Sequence, residues 1–259
     1  MKNIVKQKLN NGKVSLGSWL TLSHGAIAEI MAESGFDWLA IDMEHTVIGI
    51  QDVEPLVRAI EASGGVPLVR LSSNDPVLVK RVMDTGSYGV IVPMVNTREE
   101  AEKAVRSVKY SPEGDRSVGL YRAQGWGERF DEYKNTVNKE SLVIVQIEHK
   151  QAVENIADIL AVPGIDGVMI GPYDISGSLG VTGDLDHPLV QEARRKVLAG
   201  ARAAKKAAGI HVVPPVPADV KDRVKEGFTF IAYSTDAIML NVKCREATTG
   251  LKSFIDKDR

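Results

Sequence analysis

The sequence predicts a single (β/α)8 barrel, the TIM-barrel class, spanning residues 1–259 as one domain. Three observations predict it. Eight short β-rich runs alternate with helical stretches along the chain. Most of these runs are almost continuously apolar, as strands covered on both faces must be. The length, 259 residues, is close to the roughly 250 of one such barrel.

The strands are read at 14–20 (VSLGSWL), 37–43 (DWLAIDM), 66–71 (VPLVRL), 89–95 (GVIVPMV), 142–148 (LVIVQIE), 167–173 (GVMIGPY), 211–216 (HVVPPV) and 229–234 (TFIAYS). Pro93, Pro172, Pro214 and Pro215 fall near strand ends, where a missing N–H costs little. The first helix runs over Gly25–Ala32 and stops at Gly35. The second runs over 52–62, capped by Gln51 or Asp52 and stopped by Gly64 and Gly65. Asp75 followed by Pro76 is an N-cap with a first-turn proline, and that helix extends to Asp84 with Gly86 beyond it. Thr97 and Glu100 form a capping box before AEKAVRSV. Further helices are read at 151–160, 188–208, 217–226 and 237–255. Eight strands each followed by a helix imply a closed parallel barrel. Residues 110–140 break the rhythm; an insertion of this length is a functional loop or an ordered excursion.

Hydrophobic residues make up 44% and charged residues 25% of the chain, with a formal net charge of −2. No basic excess is present to neutralise a phosphate backbone, so nucleic acid is not expected as a partner. The lone cysteine, Cys244, has no internal disulfide partner and no CxxC pair offers a zinc site. The opening MKNIVKQKLNNGK lacks the apolar stretch of a signal peptide. No apolar run approaches the ~20 residues that cross a bilayer. The expectation is a cytoplasmic protein without a membrane partner.

Reactive side chains in such barrels sit at the C-terminal strand ends. The second predicted strand ends in Asp42-Met-Glu-His45, the third at Arg70, the fifth in Gln146-Ile-Glu148-His149 and the sixth in Gly171-Pro-Tyr-Asp174. Glu148 and Asp174 have two readings. As carboxylates on neighbouring strands they suit a hard divalent ion such as Mg2+ or Mn2+; alternatively they are rim carboxylates paired with arginines. His45 is the candidate general base, because an imidazole with a pKa near ~6.5 exchanges protons at neutral pH; the other reading is a loop cap. His24, His149, His187 and His211 are weaker candidates. Asp42 is read as orienting its neighbours, and Glu44 as holding water near a metal. Arg70 matches a carboxylate in bidentate fashion, or forms a structural salt bridge to Asp42 or Glu148. Asp84 is either a surface residue or a partner for His45. Arg122 is a second anion-binding candidate, and the glycines flanking Trp126 suggest a mobile cover or a packed loop. GxGxxG, GxxxxGK[ST] and GxSxG are absent. No lysine ends a predicted strand, which argues against Schiff-base chemistry.

Six stretches together resemble the HpcH/HpaI aldolase family, the metal-dependent class II pyruvate aldolases acting on 4-hydroxy-2-oxo acids. They are GFDWLAIDMEH (35–45), PLVRLSSNDP (67–76), GVIVPMVNTREEAE (89–102), RSVGLYRAQGWG (116–127), VIVQIEHKQAVENI (143–156) and IDGVMIGPYDISGSLG (165–180). The resemblance implies Glu148 and Asp174 as ligands of a divalent cation (Mg2+, Mn2+ or Co2+). It implies His45 as acid/base with Asp84 its partner, and Arg70 as the residue holding the pyruvyl group and steadying the enolate. Gln146 is implied as a nearby polar contact, and backbone amides around Gly171, Pro172 and Asp174 as the cradle of the pyruvate carboxylate. It further implies an aldehyde-lyase, a homohexamer built as a trimer of dimers, and C-terminal helices exchanged between neighbours.

Tyr173, Pro214 and the apolar Thr46-Val-Ile-Gly stretch depart from the better-known dicarboxylate and sugar-acid aldolases. These positions and the 110–140 loop bear on the aldehyde half of the substrate. Two rival readings remain. One is a CoA-thioester lyase of the citrate lyase β or malyl-CoA type, for which the chain is short and has no evident basic surface for CoA phosphates. The other is a non-catalytic barrel that binds a carboxylate ligand.

Overall fold

A computed structural model describes residues 2–255. Eight parallel strands close into one barrel in sequence order. They are β1 (Ser15–Leu20), β2 (Trp38–Asp42), β3 (Val66–Arg70), β4 (Gly89–Val92), β5 (Leu142–Ile147), β6 (Gly167–Ile170), β7 (Ala207–Val212) and β8 (Phe230–Thr235). Hydrogen-bonded β1 and β8 close the ring. The helices are α1 (Ile4–Asn10), α2 (Gly25–Glu33), α3 (Ile50–Ala62), α4 (Pro76–Asp84), α5 (Arg98–Val108), α6 (Phe130–Glu140), α7 (Lys150–Glu154), α8 (Ile156–Leu160), α9 (Pro172–Ser178), α10 (Pro188–Ala203), α11 (Pro217–Glu226) and α12 (Asp236–Ile255). Among the described residues no helix is long and apolar enough to cross a membrane.

Several predicted signals act as read. Asp75 Oδ1 accepts the Val77 and Leu78 amides and Pro76 opens α4. Thr97 and Glu100 form the capping box of α5. Other boundaries differ. The cap of α3 is Gly49, and Asp52 is instead the third-position carboxylate that accepts the Gly49 amide at 2.8 Å. The sixth strand stops at Ile170, because Pro172 starts α9 and carries Tyr173 and Asp174 into its first turn. The seventh strand is Ala207–Val212 rather than 211–216, and α10 ends at Ala203. Its small residues are a packing requirement: a Cβ on Gly209 would lie 3.0 Å from both the Phe230 ring and backbone oxygens of Phe230 and Val168. Residues 110–140 are an ordered excursion holding a 3-10 turn (Arg122–Gly127) and α6.

Strand alternation divides the core. Outward residues such as Leu39, Ile41, Val143, Val145 and Ile147 pack under the helices. Inward residues Trp38, Ala40, Leu68, Ile144, Met169, Ala207 and Phe230 form a separate inner cluster. Trp38 stacks on Phe230 at 4.2 Å, and Gly17 makes room for it, since a Cβ there would sit 2.0 Å from the Trp38 ring. Helix α1, unforeseen in the sequence, closes the N-terminal mouth. Val5 and Leu9 enter the inner cluster, and Lys6 reaches Asp166 at 3.0 Å. The opposite end of the barrel is left for polar groups.

Candidate active site

Followed toward their C-terminal ends, the inward rows turn from apolar to polar. On β2 the row Trp38, Ala40 ends at Asp42. On β3, Leu68 is followed by Arg70. On β5, Ile144 leads to Gln146 and then Glu148. On β7, Ala207 and Gly209 lead to His211. The paired register sets Asp42 beside Arg70. A cavity of about 560 Å3 opens here, lined by Trp19, His45, Arg70, Gln146, Glu148, Asp174 and His211 among others.

Glu148 and Asp174 flank one point above Gly171. A Cβ on that glycine would lie 3.1 Å from Glu148 Oε1 and 3.2 Å from Asp174 Oδ2. Gly171 has an ordinary φ of −101°, so glycine is required there for space. Glu148 Oε2 accepts the Met94 amide at 3.0 Å, and Oε1 accepts Gln146 Nε2 at 2.7 Å. Burial pushes the Glu148 carboxyl above its usual range; the Met94 and Gln146 hydrogen bonds oppose that, and the neighbouring Asp174 charge adds to it. The same Gln146 nitrogen reaches Glu44 Oε2 at 3.0 Å. Glu44 is likewise pushed up, first by burial and then by the Glu148 charge. Among the described residues no group of three or more His, Cys, Asp or Glu forms a metal cluster. The donor set is two carboxylates with a third behind Gln146. This fits a hard divalent cation that takes its other ligands from substrate and water. A cation between Glu148 and Asp174 would also offset the Asp174 charge that helps push the Glu148 carboxyl up.

Arg70 is held by Asp42, with Nε to Oδ1 at 2.8 Å and Nη2 to Oδ2 at 2.7 Å, and its guanidinium lies 4.2 Å over the Trp19 ring. Its salt bridge and its anion-binding role are compatible, because this pairing leaves the Nη1 donors free of Asp42. Burial pushes the Asp42 carboxyl up, but the Arg70 hydrogen bond and charge, with the Glu44 and His45 amides, outweigh it and leave Asp42 below its ordinary value. Those amides meet Asp42 Oδ1 at 3.0 and 3.3 Å. Asp42 thus fixes both Arg70 and the turn that carries His45. The His45 ring is 62% exposed at the cavity wall, with Nε2 3.8 Å from Glu44 Oε2.

Other candidates are placed elsewhere. Asp84 ends α4, which runs from the C-terminal rim back toward the N-terminal rim. It receives Gln124 Nε2 at 3.2 Å, so within one chain it is not the partner of His45. Gly171 and Pro172 are not free donors either: the Gly171 amide donates to Ile147 O at 3.0 Å, and proline has no N–H. The Tyr173 and Asp174 amides, in the first turn of α9, are the open ones in this segment. Arg122 donates to Thr85 O at 2.8 Å and Glu61 at 2.6 Å, on the outside of the barrel. The glycine-flanked loop therefore packs against α3 and α4 and does not cover this cavity. His24, His149 and His187 are N-caps whose Nδ1 atoms accept a helix amide. His211 belongs to the cavity, and the displaced seventh strand concealed it; placing AAGIHV as the strand makes it an inward residue.

A family model described as HpcH/HpaI aldolase/citrate lyase matches residues 15–241. The chain is 41% identical over 242 residues to a 4-hydroxy-2-oxo-heptane-1,7-dioate aldolase of Salmonella typhimurium, covering 93% of this chain and 91% of that one. It is 39% identical over 235 residues to a 5-keto-4-deoxy-D-glucarate aldolase of Escherichia coli, covering 90% and 91%. Its fold matches the crystal structure of an HpcH/HpaI aldolase/citrate lyase family protein from Burkholderia cenocepacia with a TM-score of 0.93 at 36% identity, covering 97% of this chain and all of the other.

Proposed function

We propose, for a chain that belongs to the HpcH/HpaI aldolase/citrate lyase family, that this cavity cleaves 4-hydroxy-2-oxo acids to pyruvate and an aldehyde. The chain is an enzyme of the class II pyruvate aldolase type, and its relatives are named as aldolases of a 4-hydroxy-2-oxo dicarboxylate and of a keto-deoxy sugar acid. The observation that carries the assignment to this cavity is the pair of carboxylates facing each other over Gly171, beside an arginine fixed by Asp42.

Glu148 and Asp174 would hold the divalent cation, Mg2+, Mn2+ or Co2+ by their all-oxygen character. When bound, it supplies Lewis-acid stabilisation of negative charge on the 2-oxo acid. Arg70, whose Nη1 is free of Asp42, would share the stabilisation of that charge, and the Tyr173 and Asp174 amides are open to the substrate carboxylate. His45 takes the proton from the C4 hydroxyl at its ring nitrogen, with Glu44 Oε2 3.8 Å from Nε2. The electron pair of the O–H bond becomes the aldehyde C=O, the C3–C4 bond breaks, and its electrons form the pyruvate enolate. The proton held at His45 then passes to C3, which gives pyruvate and returns the neutral imidazole. Gln146 keeps Glu44 and Glu148 apart by donating to both.

The citrate lyase β or malyl-CoA reading would require a CoA-binding surface. The carboxylate-binding barrel would require neither a mobile proton at His45 nor a cation between Glu148 and Asp174. Pyruvate release from a panel of 4-hydroxy-2-oxo acids, with and without added divalent metal, separates the three. No release and no metal uptake would leave the binding protein.

We further infer one barrel domain in a homohexamer, a trimer of dimers with exchanged C-terminal helices, in the cytoplasm. Leu251, Phe254 and Ile255 are exposed on α12. An apolar hollow of about 740 Å3, lined by Ile27, Ile30, Phe36 and Leu240, lies where α12 leaves the barrel. Sedimentation velocity at micromolar concentration tests this; a monomer would refute it.

A further inference from the structure

His211 is an inward cavity residue with no task in the mechanism above. Its Nε2 lies 3.1 Å from Ser234 O. A carbonyl only accepts, so the proton sits on Nε2 and the Nδ1 lone pair is an acceptor. Nδ1 makes no hydrogen bond among the described residues, and it is absent from the sealed-in polar atoms without a partner. It therefore borders the cavity that His211 lines.

The ring is held in place by local strain. Between Gly17 and Trp19 of β1, the partner β8 advances from Ala232 to Thr235, so β8 carries one extra residue. Ser234 in that bulge has φ of 51°, the left-handed region that a non-glycine residue rarely adopts. Its carbonyl takes His211 Nε2, while the Ser18 hydroxyl donates to the preceding carbonyl, Tyr233 O, at 2.7 Å and pins the same bulge. Trp19 packs edge-on against the imidazole at 5.8 Å. Burial, opposed by the Ser234 bond and assisted by the Arg70 charge, depresses the imidazole to about 4, so at neutral pH it is an uncharged acceptor.

We infer that His211 is a specificity-determining residue of the acceptor half: its Nδ1 accepts a hydrogen bond from a substrate hydroxyl beyond the cleaved bond, selecting hydroxylated aldehydes of the sugar-acid kind. The C4 hydroxyl itself belongs to His45. An aldehyde carbonyl or a distal carboxylate has no proton to give, and a methylene would leave Nδ1 desolvated without a partner. A hydroxyl is the common substrate group that satisfies it. The inference rests on the pyruvate-aldolase reading of the same cavity.

The test is run in the condensation direction, with pyruvate, Mn2+ and a matched pair of acceptors, glycolaldehyde and acetaldehyde. Wild-type enzyme is expected to favour glycolaldehyde in kcat/KM by about 10- to 100-fold. His211→Leu is expected to bring that ratio to near one. His211→Asn, whose Oδ1 takes the place of Nδ1, is expected to restore part of it. Because the readout is a ratio within one enzyme, a general loss of activity does not imitate the effect. Metal-dependent exchange of pyruvate methyl hydrogens with D2O by the wild-type enzyme reports the pyruvate half alone. Exchange with equal use of both aldehydes, or an unchanged ratio in His211→Leu, overturns the inference and leaves the aldolase reading standing. No exchange and no condensation overturns both.

Discussion

Asp42→Asn is the perturbation whose size the structure fixes best. Asp42 is 2% exposed and its side chain makes four contacts: Arg70 Nε at 2.8 Å, Arg70 Nη2 at 2.7 Å, and the Glu44 and His45 amides at 3.0 and 3.3 Å. Asparagine keeps one acceptor oxygen for the amides and Nε. It turns the other oxygen into an NH2 that faces Nη2, donor against donor. The Arg70 side chain, 14% exposed, then loses its closest counter-charge and keeps only Glu44, 3.5 Å from Nε, as an ion-pair partner. Breaking a buried pair from one side costs about 3–5 kcal/mol. For a chain of this size each kcal/mol moves Tm by about 2–4 °C, so the fall is about 6–20 °C. Arg70 also loses its fixed direction, and misplacement on the order of 1 Å lowers kcat/KM by about 100-fold. Urea unfolding followed by circular dichroism, with pyruvate-release kinetics, measures both. There is a pH signature as well. The folded Asp42 carboxyl lies below its ordinary value of 3.8. Its contribution is therefore present above that value and lost as pH falls through the lower folded one. The wild-type protein should lose this component in acid, and Asp42→Asn should have none to lose. A variant within about 1 kcal/mol of wild type, with unchanged kcat/KM, would refute the anchoring role.

Gly171→Ala places a methyl 2.8 Å from Glu148 Cγ and against both carboxylate oxygens. Isothermal titration with Mn2+ should show affinity weakened by about 10-fold or more, and unaltered binding would contradict the proposed cation site. His45→Gln should lower aldol cleavage by about 100- to 10,000-fold while Mn2+ still binds, as read by stopped-flow kinetics and metal titration. Glu44 and Glu148 both lie above the usual carboxylate range in the metal-free protein. A folded pKa above the unfolded one makes stability fall as pH rises through the raised values. Added metal relieves that cost by demanding the ionised forms. The rise in Tm on adding Mn2+ should then be larger at pH 7.5 than near the raised values, and a pH-independent rise would count against the carboxylates as ligands.

Much of this molecule is legible in its sequence, for reasons that differ between elements. Strands such as GVIV and LVIVQI are β-branched and apolar on both faces, so they read as barrel strands with little ambiguity. Their C-terminal residues converge because alternation sends every second one inward, which is how Arg70, Gln146 and Glu148 meet. The start of the seventh strand is not legible, because Ala207, Ala208 and Gly209 continue the alanine-rich run of α10 and lack any β-branched signal. With that strand displaced, His211 lost its inward position. Asp84 ends a helix that returns from the site toward the opposite rim, so within one chain it meets Gln124 and not His45; a contact between neighbouring chains is not legible in either one's sequence. The packing of Arg122 and its loop on α3 and α4 depends on long-range contacts that no local pattern encodes. The extra residue in β8 is likewise invisible in TFIAYST, because it is defined only against β1.

Two carboxylates and a divalent cation, in the function proposed above, make this barrel mouth a pyruvate lyase. The most direct test is pyruvate release from 4-hydroxy-2-oxo acids by chelator-stripped enzyme, before and after adding Mg2+, Mn2+ or Co2+, alongside Glu148→Gln and Asp174→Asn. The expected result is no release without metal, recovery on metal addition in the wild-type enzyme, and no recovery in either variant. Full turnover by either variant in chelator-treated buffer would contradict it.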